Sequence, residues 1–422
     1  QERAVQPARE RQPARIAMDF DFSNEQKALR DEARKLLAAQ CDLKRVRRIL
    51  DANADADMDA GAEANAGANG QASAAANAAD ATPTELYDTA LWQTMAKMGW
   101  LGAAIPEAYG GLGLGHGTLC VIAEEIGRTL APVPSCSSLY LFAEAIALAG
   151  DETIKTEFLP RIAAGTMIGT LTATEGLAPI SAPEQVTARF TDGFLSGTKL
   201  PVPDGVAADF AVVAAQAQTP DGRTVPGLFI VDLNGPGVQR VTIAGIDPTK
   251  PQARIVFDRA PARPLGRLED GATLLQRVLD RAAVLLAFEQ LGGADAALAM
   301  SVDYAGIRHA FGRPIGSFQA IKHKLADMYV GNELARANCY YAAWALDESP
   351  RDLPLAAAAA RLAASTAYEY AATETIQTHG GIGATWEGDM HLFYRRARLT
   401  MLMLDSPATW RHRLVAELER GV

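Results

Sequence analysis

Apolar and polar residues follow a helical period in the N-terminal part of the chain. From Ser23 to Leu50 and again from Glu85 to Ala163, apolar residues return every three or four positions, which is typical of amphipathic helices. Ser23 and Gln26 have the spacing of a capping box, in which two side chains satisfy backbone N–H groups at a helix start. The pattern therefore predicts a helical N-terminal region that ends after Pro160.

The pattern changes to that of strands between about Met167 and Arg267. Short runs rich in β-branched and aromatic residues are separated by dipeptides that favour tight turns. The runs are Val212-Val213, Gly227 to Val231 and Ile255 to Phe257, and the turns are Asp192-Gly193, Asp221-Gly222 and Asn234-Gly235. This region is predicted to form a small antiparallel barrel or sandwich.

Long helical patterns return from Ala272 onward. Pro354 is predicted to open a helix that continues through an alanine-rich stretch to Gln377, because proline is tolerated in the first turn of a helix. The order of elements is α, then β, then α, which predicts a mainly α protein with a central β domain. We place the three domains at residues 18–166, 167–267 and 268–422.

Two segments have compositions unlike the rest of the chain. Residues 1–17 carry four arginines and no apolar core, so we expect a disordered extension ahead of Met18. Residues 52–83 consist almost entirely of alanine, asparagine, aspartate and glycine. Such a segment buries too little apolar surface to offset its ordering entropy, so we predict a disordered insert in the N-terminal domain.

The overall composition narrows the class of protein. A formal net charge of −10 without a basic stripe argues against a nucleic-acid partner. The longest apolar run, Leu139 to Ala149, contains Glu144 and is too short to span a bilayer, so no membrane partner is expected.

The cysteines and histidines indicate neither a disulfide framework nor a metal site. Four cysteines are scattered without CxxC spacing, at Cys41, Cys120, Cys136 and Cys339. We expect reduced, buried thiols in a cytoplasmic protein. His379 and His391 lie twelve positions apart, which is not a metal-ligand spacing, and structural roles are expected for the histidines.

One segment combines residue types that suit an anionic, partly aromatic cofactor. Arg308 offers a planar fork of donors that matches a pyrophosphate, and Phe311 has an aromatic face for a ring system. Gly312 permits close backbone approach, and Gln319 follows Pro314 where a new helix is predicted to begin.

This segment resembles the flavin-binding signature of the acyl-CoA dehydrogenases. Gln377 to Glu387 is similar to the second flavin motif of that family, and Pro106 to Gly113 is similar to its N-terminal signature loop. The resemblance implies FAD as cofactor, acyl-CoA thioesters as substrates and a four-helix bundle as the C-terminal domain. It also implies an electron-transfer flavoprotein as electron acceptor, and a homo- or heterotetramer.

The resemblance assigns roles to individual residues. Arg308, Phe311 and Gln319 would contact a flavin held mainly by a neighbouring subunit. Gln377, Gly380 and Gly381 would form further flavin contacts, and Thr174 would face the reactive edge of the ring. The glycine pair is also suited to ending the preceding helix as a C-cap, and the two interpretations are compatible.

The carboxylate that removes the α-proton in this family has no certain counterpart in the sequence. An ungapped match to the commonest position falls on Leu404, and Asp405 follows it as the alternative. An ungapped match to the second known position falls on Ala282, with Asp280 and Glu289 nearby. Asp405 is the predicted catalytic residue, while Asp280, Glu289 or no base at all remain open.

The strand residues that are expected to pack against the flavin ring also depart from the family pattern, since Pro201 and Pro203 replace the usual tryptophan and threonine. The predicted reaction is FAD-dependent conversion of an acyl-CoA to its trans-2-enoyl-CoA. The alternative is a non-catalytic or half-site partner subunit of a heterotetramer, and transfer of electrons to oxygen is a third. The Arg308 motif resembles bacterial relatives that handle bulky or dicarboxylic acyl groups, such as pimeloyl or steroid side chains.

Overall fold

The computed structural model describes residues 20–52, 86–176 and 179–421. It has helices, then a β domain, then helices, and the predicted fold class is confirmed. The predicted disorder at residues 1–17 and 52–83 lies outside the described residues, except for residue 52 in the helical range 43–52.

The N-terminal helices are formed where the apolar period predicts them. Their bounds are α1 (Asn24–Gln40), α2 (43–52), α3 (Thr89–Lys97), α4 (His116–Arg128), α5 (Ser135–Ala149) and α6 (Glu152–Ala163). The capping box of Ser23 and Gln26 is confirmed at the start of α1. Helix α5 opens with nine π-helical residues, Ser135–Ala143, and residues 135–146 are buried.

The middle domain is a small barrel. Its strands are β1 (Gly169–Thr172), β2 (Arg189–Thr191), β3 (Phe194–Pro203), β4 (Phe210–Gln218), β5 (Thr224–Asp232), β6 (Val238–Ile243) and β7 (Gln252–Pro264). Strands β4, β2, β3, β7 and β5 pair in a closed ring, while β1 and β6 join its outside. The antiparallel prediction is correct for most pairs but wrong for β1–β4 and β2–β4, which are parallel.

The C-terminal domain is a bundle of long helices. Its bounds are α7 (Gly271–Ile307), α8 (Gln319–Glu348), α9 (Leu353–His379), α10 (Met390–Leu402) and α11 (Pro407–Gly421). A two-stranded hairpin, β8 (His309–Ala310) and β9 (Arg313–Pro314), joins α7 to α8. The stretch Leu268–Ile307 is long and apolar enough to cross a membrane, but 72% of its most apolar window is buried, as in a core helix.

One hydrophobic core joins the N-terminal helices to the bundle, and a second fills the barrel. Helices α4 and α7 cross at two glycines. A Cβ atom on Gly127 would lie 1.7 Å from the carbonyl oxygen of Glu289, and one on Gly292 would lie 1.8 Å from that of Glu124. This close crossing fixes α7 against the N-terminal domain. The four cysteines are free and buried as predicted.

Candidate active site

The two predicted flavin motifs lie at the same end of the bundle. Helix α8 runs antiparallel to both α7 and α9, so α7 and α9 run in the same direction. Near their C-terminal ends, the rings of Tyr304 and His379 stack 4.2 Å apart, and the hydroxyls of Ser301 and Thr375 lie 2.9 Å apart. Arg308, which follows α7, is consequently brought close to the glycine turn that follows α9.

The hairpin after α7 presents an aromatic side chain to solvent. Phe311 and Gly312 form its tip with φ angles of 53° and 77°, a left-handed conformation that favours glycine over phenylalanine. The side chain of Phe311 is 96% exposed. An aromatic ring held outward in an unfavourable backbone conformation is suited to contact a group outside this chain.

The polar members of the two motifs are also available. Arg308, Gln319 and Gln377 are exposed, and no hydrogen bond or ion pair engages their side chains among the residues described. Gly380 caps α9 with a φ of 64°, as the C-cap interpretation predicts. A Cβ atom added at Gly380 or Gly381 would meet nothing within 4 Å. A guanidinium and an open backbone turn at the same end of the bundle fit the pyrophosphate of a flavin dinucleotide.

Thr174 lies in a separate pocket of about 470 Å³ between the β domain and the C-terminal helices. Its hydroxyl donates to the carbonyl of Pro201 over 3.0 Å. The walls are mainly apolar, and they include Leu141, Leu171, Pro201, Pro203, Ile243, Leu399, Leu402, Met403 and Leu404. The prolines that depart from the family pattern therefore form part of this wall.

Asp405 lines the same pocket, but its carboxylate already has partners. One oxygen accepts the backbone N–H of Ile180 over 2.6 Å, and the other accepts that of Ser181 over 3.1 Å. Leu404 and Asp405 have φ angles of 57° and 83°, and Trp410 donates to the carbonyl of Leu404. The carboxylate thus holds segment 179–181 against the turn between α10 and α11.

The other carboxylates considered as a base lie outside the lining of this pocket. Asp280 pairs with Arg413 and accepts from Gln276, and burial raises its pKa despite the arginine. Glu289 is buried and accepts from the hydroxyls of Ser135 and Tyr140 at 3.2 and 3.3 Å.

Glu289 also approaches two cations. Its Oε1 atom lies 3.4 Å from Nζ of Lys250 and 3.6 Å from Nη1 of Arg396. Ala282, the ungapped match to the second base position, is buried. Glu289 is therefore surrounded by groups that hold it in place.

Sequence reasoning missed a second carboxylate near the pocket. Glu175 accepts from Lys199 over 2.7 Å and from the hydroxyl and backbone N–H of Thr187. Burial by itself raises the pKa of Glu175, but these hydrogen bonds outweigh it and lower the pKa to about 2. The signals that could have found this pair are the Thr174-Glu175 dipeptide and the Gly197-x-Lys199 motif.

The predicted absence of a metal site stays a prediction. Across residues 20–52, 86–176 and 179–421, no group of three or more histidine, cysteine or carboxylate side chains has metal-binding geometry. His379 is buried and its Nδ1 atom lies 2.7 Å from the carbonyl of Thr375, which is a structural contact.

Comparison with known proteins identifies two family models along the chain. The acyl-CoA dehydrogenase N-terminal domain matches residues 61–166, and the acyl-CoA dehydrogenase C-terminal domain matches residues 269–404. The acyl-CoA dehydrogenase IpdE2 of Mycobacterium tuberculosis is 33% identical over 334 residues, which cover 79% of this chain and 87% of that protein.

Two solved structures have the same fold over nearly the whole chain. A variant of the Tcur3481-Tcur3483 steroid ACAD is 31% identical, with a TM-score of 0.78 and coverage of 94% of this chain and 98% of that one. The ChsE4-ChsE5 complex of Mycobacterium tuberculosis is 25% identical, with a TM-score of 0.77 and coverage of 95% and 99%.

Proposed function

Since this chain belongs to the acyl-CoA dehydrogenase family of FAD-dependent oxidoreductases, we propose that it converts an acyl-CoA to the trans-2-enoyl-CoA and passes electrons to an electron-transfer flavoprotein. The observation that carries the proposal is the apolar pocket of about 470 Å³ that contains Thr174 and Asp405. An apolar wall with few polar groups suits an acyl chain beside a redox cofactor.

The residues fall into two groups that would serve different parts of FAD. Thr174 would face the reactive ring edge, in the pocket of the same chain. Arg308 and Phe311 would bind the pyrophosphate and an aromatic ring of a flavin held mainly by a neighbouring subunit, so a tetramer is part of the proposal. FAD, when bound, accepts the hydride that leaves the β-carbon of the thioester.

The chain's own part in the reaction is to orient the acyl group and to exclude water. Leu171, Leu399 and Met403 line the pocket with apolar surface, and orientation of a bound reactant supplies a large part of a typical rate enhancement. The size of the pocket and the likeness to a steroid ACAD support a bulky acyl group. A cytoplasmic location is proposed from the reduced cysteines.

Asp405 is the base that we propose for the α-proton, because it is the carboxylate in the pocket lining. Each oxygen of Asp405 accepts one backbone N–H and keeps a second lone pair, which would accept the α-proton of the substrate.

The second candidate function is a half-site partner subunit of a heterotetramer. It is favoured by one observation, namely that both oxygens of Asp405 already accept backbone N–H groups. Leu404 and Ala282 occupy the two family positions for the base, and neither side chain can accept a proton. In this case a base would come from a different chain, while Arg308 and Phe311 would complete that chain's flavin site.

Anaerobic mixing of the purified, FAD-loaded protein with a panel of acyl-CoAs tests both functions. Bleaching of the flavin by the protein alone supports the dehydrogenase, and an Asp405→Asn variant then lowers the bleaching rate by about 10²-fold or more. FAD content and Tm measured on the same variant separate loss of the base from loss of structure.

Three results would count against one function or the other. An Asp405→Asn variant that bleaches at the original rate removes Asp405 as the base. A FAD-loaded protein that never bleaches alone, but does so when a second dehydrogenase chain is co-purified with it, supports the partner subunit. Release of peroxide in proportion to substrate under oxygen would identify oxygen, and not a flavoprotein, as the electron acceptor.

A further inference from the structure

A second cavity, of about 240 Å³, lies on the other side of helix α5 from the pocket that contains Thr174 and Asp405. Leu141 of α5 lines that pocket, whereas Leu139 and Ala143 of the same helix line this cavity. Its remaining walls are mainly apolar and include Leu101, Ile105, Pro106, Leu119 and Leu148. Pro106 places one edge of the cavity at the N-terminal signature loop, for which the proposed reaction has no role.

Four charged side chains meet at the polar end of this cavity. The Nε2 atom of His116 lies 2.7 Å from Oε1 of Glu144, and its Nδ1 atom lies 3.4 Å from Oδ1 of Asp347. Asp347 also accepts the backbone N–H groups of His116 and Gly117 at the start of α4. The Nη1 atom of Arg281 lies 3.4 Å from Oε2 of Glu144.

Two basic side chains of this cluster, His116 and Arg281, line the cavity together with one carboxylate, Glu144, whereas Asp347 is not part of the lining. Burial alone lowers the pKa of His116, but Glu144 and the hydrogen bond to Asp347 outweigh it and raise the pKa to about 9. His116 is therefore protonated near neutral pH. Its Nε2 atom lies only 3.2 Å from Nη1 of Arg281, so two cations share the carboxylate of Glu144.

Most N–H donors of Arg281 have no hydrogen-bond acceptor among the described residues. A guanidinium carries five N–H groups, and in the described part of the chain only Nη1 of Arg281 is engaged. The described hydrogen bonds of Asp347 come from His116 and Gly117 and not from Arg281. Arg281, His116 and Glu144 all line the cavity. The side chain of Arg281 is 19% exposed, so its remaining donors are accessible to an anion in the cavity.

We propose that this cavity is a second binding site, which takes a small aliphatic monocarboxylate. The carboxylate would receive two parallel hydrogen bonds from the guanidinium of Arg281, the geometry that arginine prefers. The hydrocarbon chain would lie against Leu101, Leu119 and Leu148. A cavity of about 150 Å³ is enough to bind benzene, so about 240 Å³ accommodates a four- to six-carbon acid. This inference does not rest on the proposed function.

The charges that surround His116 also give the site a pH dependence. The groups that face it are Glu144 from α5, Arg281 from α7 and Asp347 from α8. When His116 loses its proton at alkaline pH, Glu144 and Asp347 are left with Arg281 alone, and the cluster becomes net negative. Affinity for a carboxylate should therefore fall as the pH rises through about 9.

Thermal unfolding of the FAD-loaded full-length protein in rising sodium butyrate tests the proposal, with ionic strength held constant by sodium chloride. Butyrate should raise Tm in a saturable way near neutral pH, whereas the neutral amide butyramide should not. In an Arg281→Gln variant the half-saturating concentration should rise about tenfold or more, because hydrogen bonds to charged groups contribute roughly 1.5–3 kcal/mol.

Two further variants control for loss of structure. Arg277→Gln changes an exposed arginine on the same helix and should respond as the unmodified protein does. Ala147→Phe fills the exposed rim of the cavity while His116, Glu144 and Arg281 stay in place, and should abolish the response. A butyrate response that is unchanged in Arg281→Gln or Ala147→Phe, or that butyramide reproduces, would overturn the proposal.

Discussion

The charged groups between the domains and those at the end of the bundle differ in whether they form ion pairs within the chain. We call the first region the interdomain seam, and it comprises Asp247, Lys250, Glu289 and Arg396, all buried. We call the second the bundle end, and it comprises Arg308, Phe311, Gln319, Gln377 and Gly380, all exposed. Charges in the seam pair within the chain, whereas the side chains of the bundle end have no such partners among the described residues.

The seam ties together all three parts of the fold. Arg396 of α10 donates to Asp247 over 2.6 Å and to Thr249 over 2.8 Å, both in the β domain. Lys250 donates to the carbonyl of Val133, which precedes α5. Charges arranged in this way serve the fold. The difference teaches that the unsatisfied groups of the bundle end are placed for a molecule that a single chain does not supply.

Removing a seam carboxylate should have the largest effect on stability. Glu289→Ala leaves Lys250 and Arg396 buried with less compensation, and breaking a buried pair typically costs about 3–5 kcal/mol. The free energy of unfolding, measured by urea titration, should fall by that amount. Glu289→Gln keeps the size and the acceptor oxygen and should lose less. If Glu289→Ala unfolds at the same urea concentration as the unmodified protein, the seam does not stabilise the fold.

Acid should weaken a second satisfied pair over a defined pH range. Because the folded-state pKa of Glu175 is lowered from 4.5 to about 2, its contribution to stability is present above about 4.5 and is lost as the pH falls towards 2. Burial lowers the pKa of its partner Lys199, against the effect of Glu175. In Glu175→Gln this part of the acid dependence should disappear from the profile of Tm against pH. An unchanged profile would contradict the assignment.

The sequence predicts the ends of the long helices well because local chemistry determines them. The capping box at Ser23, the turn at Asp192-Gly193 and the glycine cap at Gly380 each depend on residues within a few positions. The same local signals locate the bundle end, since Arg308 follows the last residue of α7 and Gly380 the last of α9. Burial of the free cysteines also follows from their chemistry.

Long-range partners are not visible in such patterns. The carboxylate of Asp405 is satisfied by the N–H of Ile180, which lies 225 positions earlier in the chain. His116 meets Arg281 across 165 positions, and the parallel pairing of β2 with β4 is part of the closure of the barrel. A residue type at a family position thus identifies a chemical capacity, while its partners decide how that capacity is used.

The smallest effect on the fold should come from the bundle end. Arg308→Ala removes an exposed side chain that forms no hydrogen bond or ion pair with a described residue, so Tm of the FAD-free protein should be unchanged. Affinity for FAD should fall roughly tenfold to hundredfold, since hydrogen bonds to charged groups contribute roughly 1.5–3 kcal/mol. Arg189→Ala is the matched control, because Arg189 is an exposed arginine in the β domain, and it should bind FAD normally in the same titration. Should Arg308→Ala lower Tm without weakening FAD binding, the two regions would not differ in kind, and the bundle end would serve the fold as the seam does.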